Sequence, residues 1–212
     1  MEKLFYKSIL IPNEFEIPKI KWSRFIWNVF FVQDKEATEK HIKEIQSKYR
    51  DATHNCFAYT YWTNINFDLF GNMEITPDYF KANDDWEPAN TAWKPILSQI
   101  NGQNLHNILI VVTRYFWWTL LWVGWLIQAY SECVKQLILN SKIEEVELTQ
   151  NKSIKFSYEY MSTVMNLLNK YWAKITNEQH WDFWEISFDI NKWYLDSFSK
   201  DIFDQTKWNI SL

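Results

Sequence analysis

The chain contains 212 residues, 47% of them hydrophobic, and carries a formal net charge of −4. This length accommodates two small domains or one large one, and the acidic balance argues against a uniformly basic surface, so that any contact with RNA has to be local. Two cysteines form neither a disulfide framework nor a zinc-ribbon pattern, and the first ten residues lack the apolar core of a secretion signal, so we expect a cytoplasmic protein.

The first part of the chain is predicted to mix strands and helices. Asp34 is a good N-cap, because it precedes an amphipathic stretch with an acidic first turn. The predicted elements are strands 15–20 and 25–32, helix 34–49, strand 55–61, a long polar loop over 62–85, helix 91–99, strand 107–116, a loop over 117–125 and a helix over 126–140.

A second pattern starts after the polar segment 141–147. Residues 1–142 contain 15 Lys and Arg and 15 Asp and Glu, whereas residues 143–212 contain 7 and 11. The later part predicts strand 154–160, helix 161–171, strands 173–179 and 185–190, helix 194–206 and a short strand 209–212. This βαββαβ order is ferredoxin-like, and we divide the chain into domains 1–142 and 143–212.

Tryptophan is far more frequent than glycine in this chain. Fourteen tryptophans stand against three glycines, whereas average usage gives a chain of this length about fifteen glycines. Trp86 and Trp181 lie where tight turns are expected, and Trp172 follows an amphipathic run at the position where glycine usually ends a helix. Our hypothesis is that a UGA codon, printed as Trp, is decoded as Gly in the source organism; the alternative is a genuinely Trp-rich protein.

The choice between tryptophan and glycine decides what residues 108–130 form. Taken as printed, this stretch is apolar and long enough for a transmembrane helix with one arginine. Taken with glycine, it becomes a buried strand, a glycine-rich loop and the start of a helix. We favour the second interpretation and expect no contact with a membrane.

Several separated blocks resemble the YigZ/IMPACT family once Trp is taken as Gly. The blocks follow one another in the family's order and extend over most of the first domain, while the second domain resembles the family mainly in length and element order. They are Lys21–Phe25 (KWSRF), Asp51–Tyr59 (DATHNCFAY), Asp84–Pro88 (DDWEP), Thr91–Ile96 (TAWKPI), Val111–Trp118 (VVTRYFWW), Trp122–Leu126 (WVGWL) and Ala129–Ser131 (AYS).

The resemblance implies an α+β protein with two domains. The N-terminal domain is expected to have the β-α-β fold of ribosomal proteins and of domain four of elongation factor G, and the C-terminal domain to be ferredoxin-like. Eukaryotic relatives regulate translation through the general-control kinase pathway, which implies a translation-related role here. The chain departs from the family pattern at Leu120, Gln128 and Asn90, and the first two departures remove cations beside the loop.

Arg114 and the loop over 117–125 form the main candidate site. Consecutive flexible residues before a helix can direct several N–H groups at one anion, and arginine can add a bidentate contact to a phosphate. The alternative is that the loop serves close packing while Arg114 pairs with Asp85 or Glu87. The loop positions of the candidate site are Trp117, Trp118, Trp122, Gly124 and Trp125.

His54 and Asn55 are expected to face the same cleft as Glu87. A nucleophilic pair of His54 and Cys56 is disfavoured, because side chains two residues apart on a strand start about 6.5–7 Å from each other. Asp84, Asp85 and Glu87 are candidate metal ligands or an acid–base pair, although solvated turn residues and helix caps are the more ordinary uses. We assign no catalytic residue, metal or cofactor.

These patterns lead to one functional prediction and one alternative. The prediction is a translation-associated binding protein of the YigZ/IMPACT type, which contacts RNA, the ribosome or a translation-factor partner through the N-terminal cleft. The alternative is a small enzyme that acts on a phosphorylated metabolite in the same cleft. A deep pocket with strongly perturbed titratable groups favours the enzyme, and a shallow cleft with a basic rim favours the binding protein.

Overall fold

The computed structural model describes residues 3–20, 22–61, 64–67, 73–76, 79–116, 122–207 and 209–210. The chain is a mixed α/β protein and divides into two compact units, one of residues Tyr6–Glu145 and one of Met1–Phe5 together with Val146–Leu212. The first five residues therefore group with the second unit, whereas the sequence-based division at 142/143 assigned them to the first domain. In the second unit, the side-chain amide of Asn191 donates to the Leu4 carbonyl at 3.2 Å and its oxygen accepts from the Leu4 N–H at 3.3 Å.

The first unit is built on a five-stranded antiparallel sheet. Its strand order is β2-β3-β8-β4-β7, so β3, β8 and β4 lie inside the sheet. The strands, including a separate β5–β6 pair, are β1 (Phe5–Ser8), β2 (Asn13–Glu16), β3 (Ser23–Phe31), β4 (His54–Tyr61), β5 (Asn64–Phe67), β6 (Met73–Thr76), β7 (Tyr79–Asn83) and β8 (Ile108–Phe116).

Helices cover both faces of this sheet. The helices are α1 (Lys35–Lys48), α2 (Trp93–Gly102) and α3 (Val123–Leu139). Side chains of α2 and α3 join one core with Ile108, Ile110 and Val112 of β8. The alternate residues Leu109 and Val111 join a second core with α1 on the other face. This explains why β8 is a continuous apolar run, because a strand buried on both faces has no polar side.

Several predicted boundaries hold and others are wrong. The N-cap at Asp34 is confirmed, since its carboxylate accepts from the Ala37 N–H at 2.8 Å. The loop over 62–85 is wrong, because strands β5 to β7 lie within it, and β7 is an exposed edge strand without an apolar run to reveal it. The strand predicted at 15–20 is β2 at Asn13–Glu16, since pairing with β3 selects its position. The short β1 was not predicted.

Residues 108–130 do not form one helix. Strand β8 ends at Phe116 and α3 begins at Val123, three residues earlier than predicted. Residues 117–121 of the predicted loop lie outside the described part of the chain. Within the described part, no helix is both long and apolar enough to cross a lipid bilayer.

The first five elements predicted for the later part of the chain are present in the second unit, in the predicted order, as β10, α4, β11, β12 and α5. Strand β12 lies between β10 and β11 and is antiparallel to both, so α4 connects the two outer strands in a split βαβ arrangement. The elements are β9 (Glu144–Glu147), β10 (Thr149–Phe156), α4 (Met161–Lys170), β11 (Lys174–His180), β12 (Trp184–Asn191) and α5 (Leu195–Gln205). Strand β9 lies in the segment that was predicted only to be polar.

The core of the second unit forms where both helices cover one face of the sheet. Ile186, Phe188 and Ile190 of β12 pack with Val164 of α4 and Phe198 of α5. Strand β10, predicted to begin at residue 154, begins at Thr149, because its early residues are polar and only backbone pairing with β12 identifies them. The predicted terminal strand 209–212 is absent at 209–210, and its last two residues lie outside the described part.

Candidate binding site

Backbone pairing brings the predicted site residues together at one end of the first unit's sheet. His54 begins β4 and lies directly opposite Arg114 near the end of β8. The turn that follows β7 carries Asp85 and Glu87, and it contacts both strands through the hydrogen bonds described below. The Asn55 side chain is fixed to β8, because its Oδ1 accepts from the Thr113 hydroxyl at 2.7 Å. The site therefore combines residues from β4, β8 and this turn.

A buried ion pair lies at the centre of the site. Arg114 Nη1 donates to Glu87 Oε1 at 2.6 Å, and both side chains are only 2% exposed. Tyr130 of α3 donates its hydroxyl to the same Glu87 oxygen at 2.8 Å. Ser23 Oγ accepts from Arg114 Nε at 3.3 Å and from Nη2 at 3.1 Å. Buried charges are tolerated when they are paired and hydrogen-bonded in this way.

Aromatic rings enclose the Arg114 guanidinium. Its central carbon lies 4.6 Å from the centroid of the Phe116 ring and 5.7 Å from that of Phe25. Such contacts attract a cation to the ring face. The sequence left open whether Arg114 faces a phosphate site or pairs with an acidic residue, and in the structure it pairs with Glu87.

His54 links the ion pair to the acidic turn. Its Nδ1 is 2.7 Å from the backbone oxygen of Asp85. A carbonyl oxygen only accepts, so Nδ1 carries the proton in this contact. Its Nε2 lies 3.8 Å from Glu87 Oε1, and its ring stacks on Phe116 with planes 6° apart. The imidazole is therefore fixed from both sides and is 8% exposed.

The carboxylates of Asp84 and Asp85 in the turn accept hydrogen bonds from backbone N–H groups. Asp84 accepts from the N–H groups of Asn90, Ala92 and Trp93 at 2.6, 3.0 and 2.9 Å, which caps the start of α2. Asp85 Oδ2 accepts from the Asn55 N–H at 2.6 Å and so attaches the turn to β4. Of the roles that the sequence left open for these acidic residues, helix capping is the one observed, and Asp84 performs it.

Cys56 lies beneath the same turn and does not act with His54. Its thiol donates to the Asp84 carbonyl at 2.9 Å, and its sulfur is 3.3 Å from the Tyr130 hydroxyl. Burial raises the pKa of the Cys56 thiol far above its ordinary value, and the nearby Glu87 carboxylate raises it further. Because the thiolate is the nucleophilic form, Cys56 is a structural thiol.

The loop residues of the candidate site lie on the adjoining surface. Trp122 is the N-cap residue of α3 and is 82% exposed, while Gly124 and Trp125 fall in the first turn of the helix. Trp117 and Trp118 are outside the described residues. The structure therefore groups His54, Asn55, Asp85, Glu87 and Arg114 closely, and it places the described loop positions at the start of the helix that contributes Tyr130.

Sequence reasoning missed Ser23 and Tyr130 as members of this site. Both occur in the blocks that resemble the family, at Lys21–Phe25 and Ala129–Ser131. No local pattern assigned them a role, because their partners come from distant elements. Their polar character within apolar surroundings was the available signal, since a buried hydroxyl needs a partner.

Comparison with known families matches the same part of the chain. The model of the Impact N-terminal domain matches residues 21–138, which include all of the grouped site residues. The chain belongs to the IMPACT family. This confirms the resemblance drawn from the sequence blocks.

Relatives in the IMPACT family extend over most of the chain. The IMPACT family member YvyE of Bacillus subtilis is 30% identical over 78% of this chain and 70% of its own length. The family member YigZ of Escherichia coli is 27% identical over 77% of this chain and 76% of its own, and a Haemophilus influenzae member is 28% identical over 97% and 93%. A crystal structure of a hypothetical protein matches with a TM-score of 0.69 and 24% identity over 100% of this chain and 97% of that one, which supports the fold.

Proposed function

We propose that this IMPACT-family protein is a cytoplasmic, translation-associated binding protein that contacts RNA, the ribosome or a translation factor through the site at the end of the first unit's sheet. The family resemblance supports the connection with translation. The observation that carries the binding role is the buried pair of Arg114 and Glu87, 2.6 Å apart and 2% exposed. It fixes the acidic turn against the sheet, as a preformed recognition surface requires.

The same pair argues against the alternative of an enzyme for phosphorylated metabolites. Such an enzyme would use Arg114 to hold the phosphate. Here the guanidinium is occupied by Glu87 and Ser23 and is enclosed by aromatic rings. Glu87 is likewise occupied by Arg114 and Tyr130. These groups build the site, and the exposed turn residues around them are available to a partner.

Co-sedimentation with purified ribosomal subunits tests the proposal. Ala89 lies on the exposed side of the acidic turn and takes no part in the hydrogen bonds described above. We expect the wild-type protein to migrate with subunits and Ala89→Glu to migrate freely, because a bulky anion on the turn blocks contact and repels RNA. Gln179→Glu, on exposed strand β11 of the second unit, is the matched control and should migrate like wild type. Free migration of the wild type would refute the proposal.

We also propose that glycine occupies the tryptophan positions of the natural polypeptide. Trp86 has a φ of 68° and Trp172 a φ of 51°, a region that costs a residue with a side chain about 1–2 kcal/mol. Glycine, which adopts this region without a side-chain clash, removes the cost at both positions.

The coding DNA and the intact mass of protein from the source organism test this proposal. We expect UGA at all fourteen tryptophan positions and ordinary glycine codons at Gly71, Gly102 and Gly124. The polypeptide should then be lighter by one indolylmethyl group, less one hydrogen, at each position. UGG codons, or a mass that fits fourteen indoles, would contradict it.

A further inference from the structure

Three tyrosines form a continuous aromatic surface on the sheet of the first unit, on the face that carries α1. Tyr59 and Tyr61 are two residues apart on β4 and so lie on the same side of the sheet. Tyr79 of the edge strand β7 pairs directly with Tyr61. The ring centroids are 5.5 Å apart for Tyr59 and Tyr61, 5.4 Å for Tyr61 and Tyr79, and 6.1 Å for Tyr59 and Tyr79. We call these three residues the aromatic row.

The aromatic row leads from the core to the surface. Tyr59 is 2% exposed, Tyr61 is half-buried, and Tyr79 is 44% exposed. Burial raises the pKa of Tyr59, and the neighbouring Tyr61 and Tyr79 hydroxyls raise it further. Burial also raises the pKa of Tyr61. Tyr59 and Tyr61 therefore stay uncharged at physiological pH, and the ring of Tyr79 at the outer end of the row is accessible.

Among the described residues, the charged side chains around the aromatic row are few and include both signs. Lys81 of β7 is exposed, pairs with Tyr59 across the strands and, within the described residues, forms no ion pair. Asp34 and Glu39 of the α1 region act electrostatically on Tyr61, and Glu39 itself pairs with Lys35 at 3.7 Å. A nucleic-acid duplex presents its phosphates and is bound through many cations. In the part of the chain that the structure describes, this surface provides one unpaired cation, Lys81, beside the accessible Tyr79 ring.

We propose that Tyr79, the exposed end of the aromatic row, stacks on an unpaired base of single-stranded RNA, with Lys81 beside one phosphate. Unpaired bases expose ring faces that stack on aromatic side chains, and this ligand suits a surface with rings but little positive charge. The inference rests on the proposed function and specifies the RNA class and its contact surface. A single phosphate contact gives a weak salt dependence, with a slope of log K against log salt of about −0.7.

Binding of a short fluorescein-labelled oligouridine to the full chain, measured by anisotropy, tests the inference. We expect Tyr79→Ala to weaken binding about tenfold, the loss expected for one base–aromatic stack, and Tyr79→Phe to bind like wild type because it keeps the ring. Tyr158→Ala removes a ring that is 57% exposed in the second unit and should have no effect. Thermal unfolding of each variant shows that the fold is retained.

The outcomes separate this inference from the proposed function. Binding of Tyr79→Ala at wild-type strength, or a preference of the wild type for duplex RNA, would overturn the aromatic row as a base-stacking site. Weaker co-sedimentation with ribosomes but unchanged oligouridine binding for Tyr79→Ala would assign the row to a protein partner and overturn the RNA assignment. If the wild type binds oligouridine through Tyr79 but does not sediment with ribosomal subunits, base stacking at the aromatic row is supported and the proposed ribosome association is refuted.

Discussion

Replacing Glu87 with leucine measures how strongly the buried ion pair stabilises the first unit. The substitution leaves the Arg114 guanidinium, 2% exposed, as an uncompensated buried charge. Removing one partner of a buried pair costs about 3–5 kcal/mol, and Tyr130 also loses the acceptor of its 2.8 Å hydrogen bond, worth about 1 kcal/mol. We expect the free energy of unfolding to fall by about 4–6 kcal/mol, a large share of the ~5–15 kcal/mol by which a domain is stable.

A second variant and a control make this measurement specific. Glu87→Leu combined with Arg114→Met removes both charges, and because such replacements are often neutral or stabilising, we expect most of the loss to be recovered. Arg24→Met breaks an exposed bidentate pair with Glu16 and should cost less than about 1 kcal/mol. Urea unfolding followed by circular dichroism gives the free energies. A loss below about 1 kcal/mol for Glu87→Leu, equal to that of Arg24→Met, would refute the reasoning.

Three further predictions concern single side chains. Burial lowers the pKa of His106 below its ordinary value of 6.5. Its contribution to stability is therefore full above that value and falls as the pH drops below it, so His106→Phe should flatten the pH dependence of the free energy of unfolding below pH 6.5. Burial raises the thiol pKa of Cys56 and Cys133, so neither should react with a thiol reagent at neutral pH until the chain unfolds; rapid labelling of the folded protein would contradict this. Trp86→Gly should stabilise the first unit by about 1–2 kcal/mol because φ is 68°, whereas Trp122→Gly, at φ −62°, should give no such gain in a thermal-shift assay.

Much of the fold could be predicted because several elements carry strong local patterns. The N-cap at Asp34 and the apolar run of β8 are encoded in adjacent residues. Strand β7 lacks that information, since it lies at the edge of its sheet and is mostly exposed. Its position depends on backbone pairing with β4, which leaves no periodic apolar signal in the sequence.

The candidate site was less accessible to sequence reasoning. The residue blocks identified His54, Glu87 and Arg114, but they left open whether Arg114 faces a phosphate or an acid. That choice depends on the register of β4 against β8 and on α3, which brings Tyr130 to the same carboxylate. The role of Ser23 depends on the pairing of β3 with β8. Ser23 contacts Arg114 from β3, on the edge of β8 opposite to β4.

The two hydrogen bonds between Leu4 and Asn191 have a practical consequence for expressing parts of this protein. The second unit is discontinuous, since it takes residues from the start of the chain as well as from its later part. A fragment cut before residue 143 would expose the side-chain amide of Asn191 without its backbone partner. The ribosome synthesises Leu4 long before Asn191, so these two hydrogen bonds can form only after residue 191 has emerged.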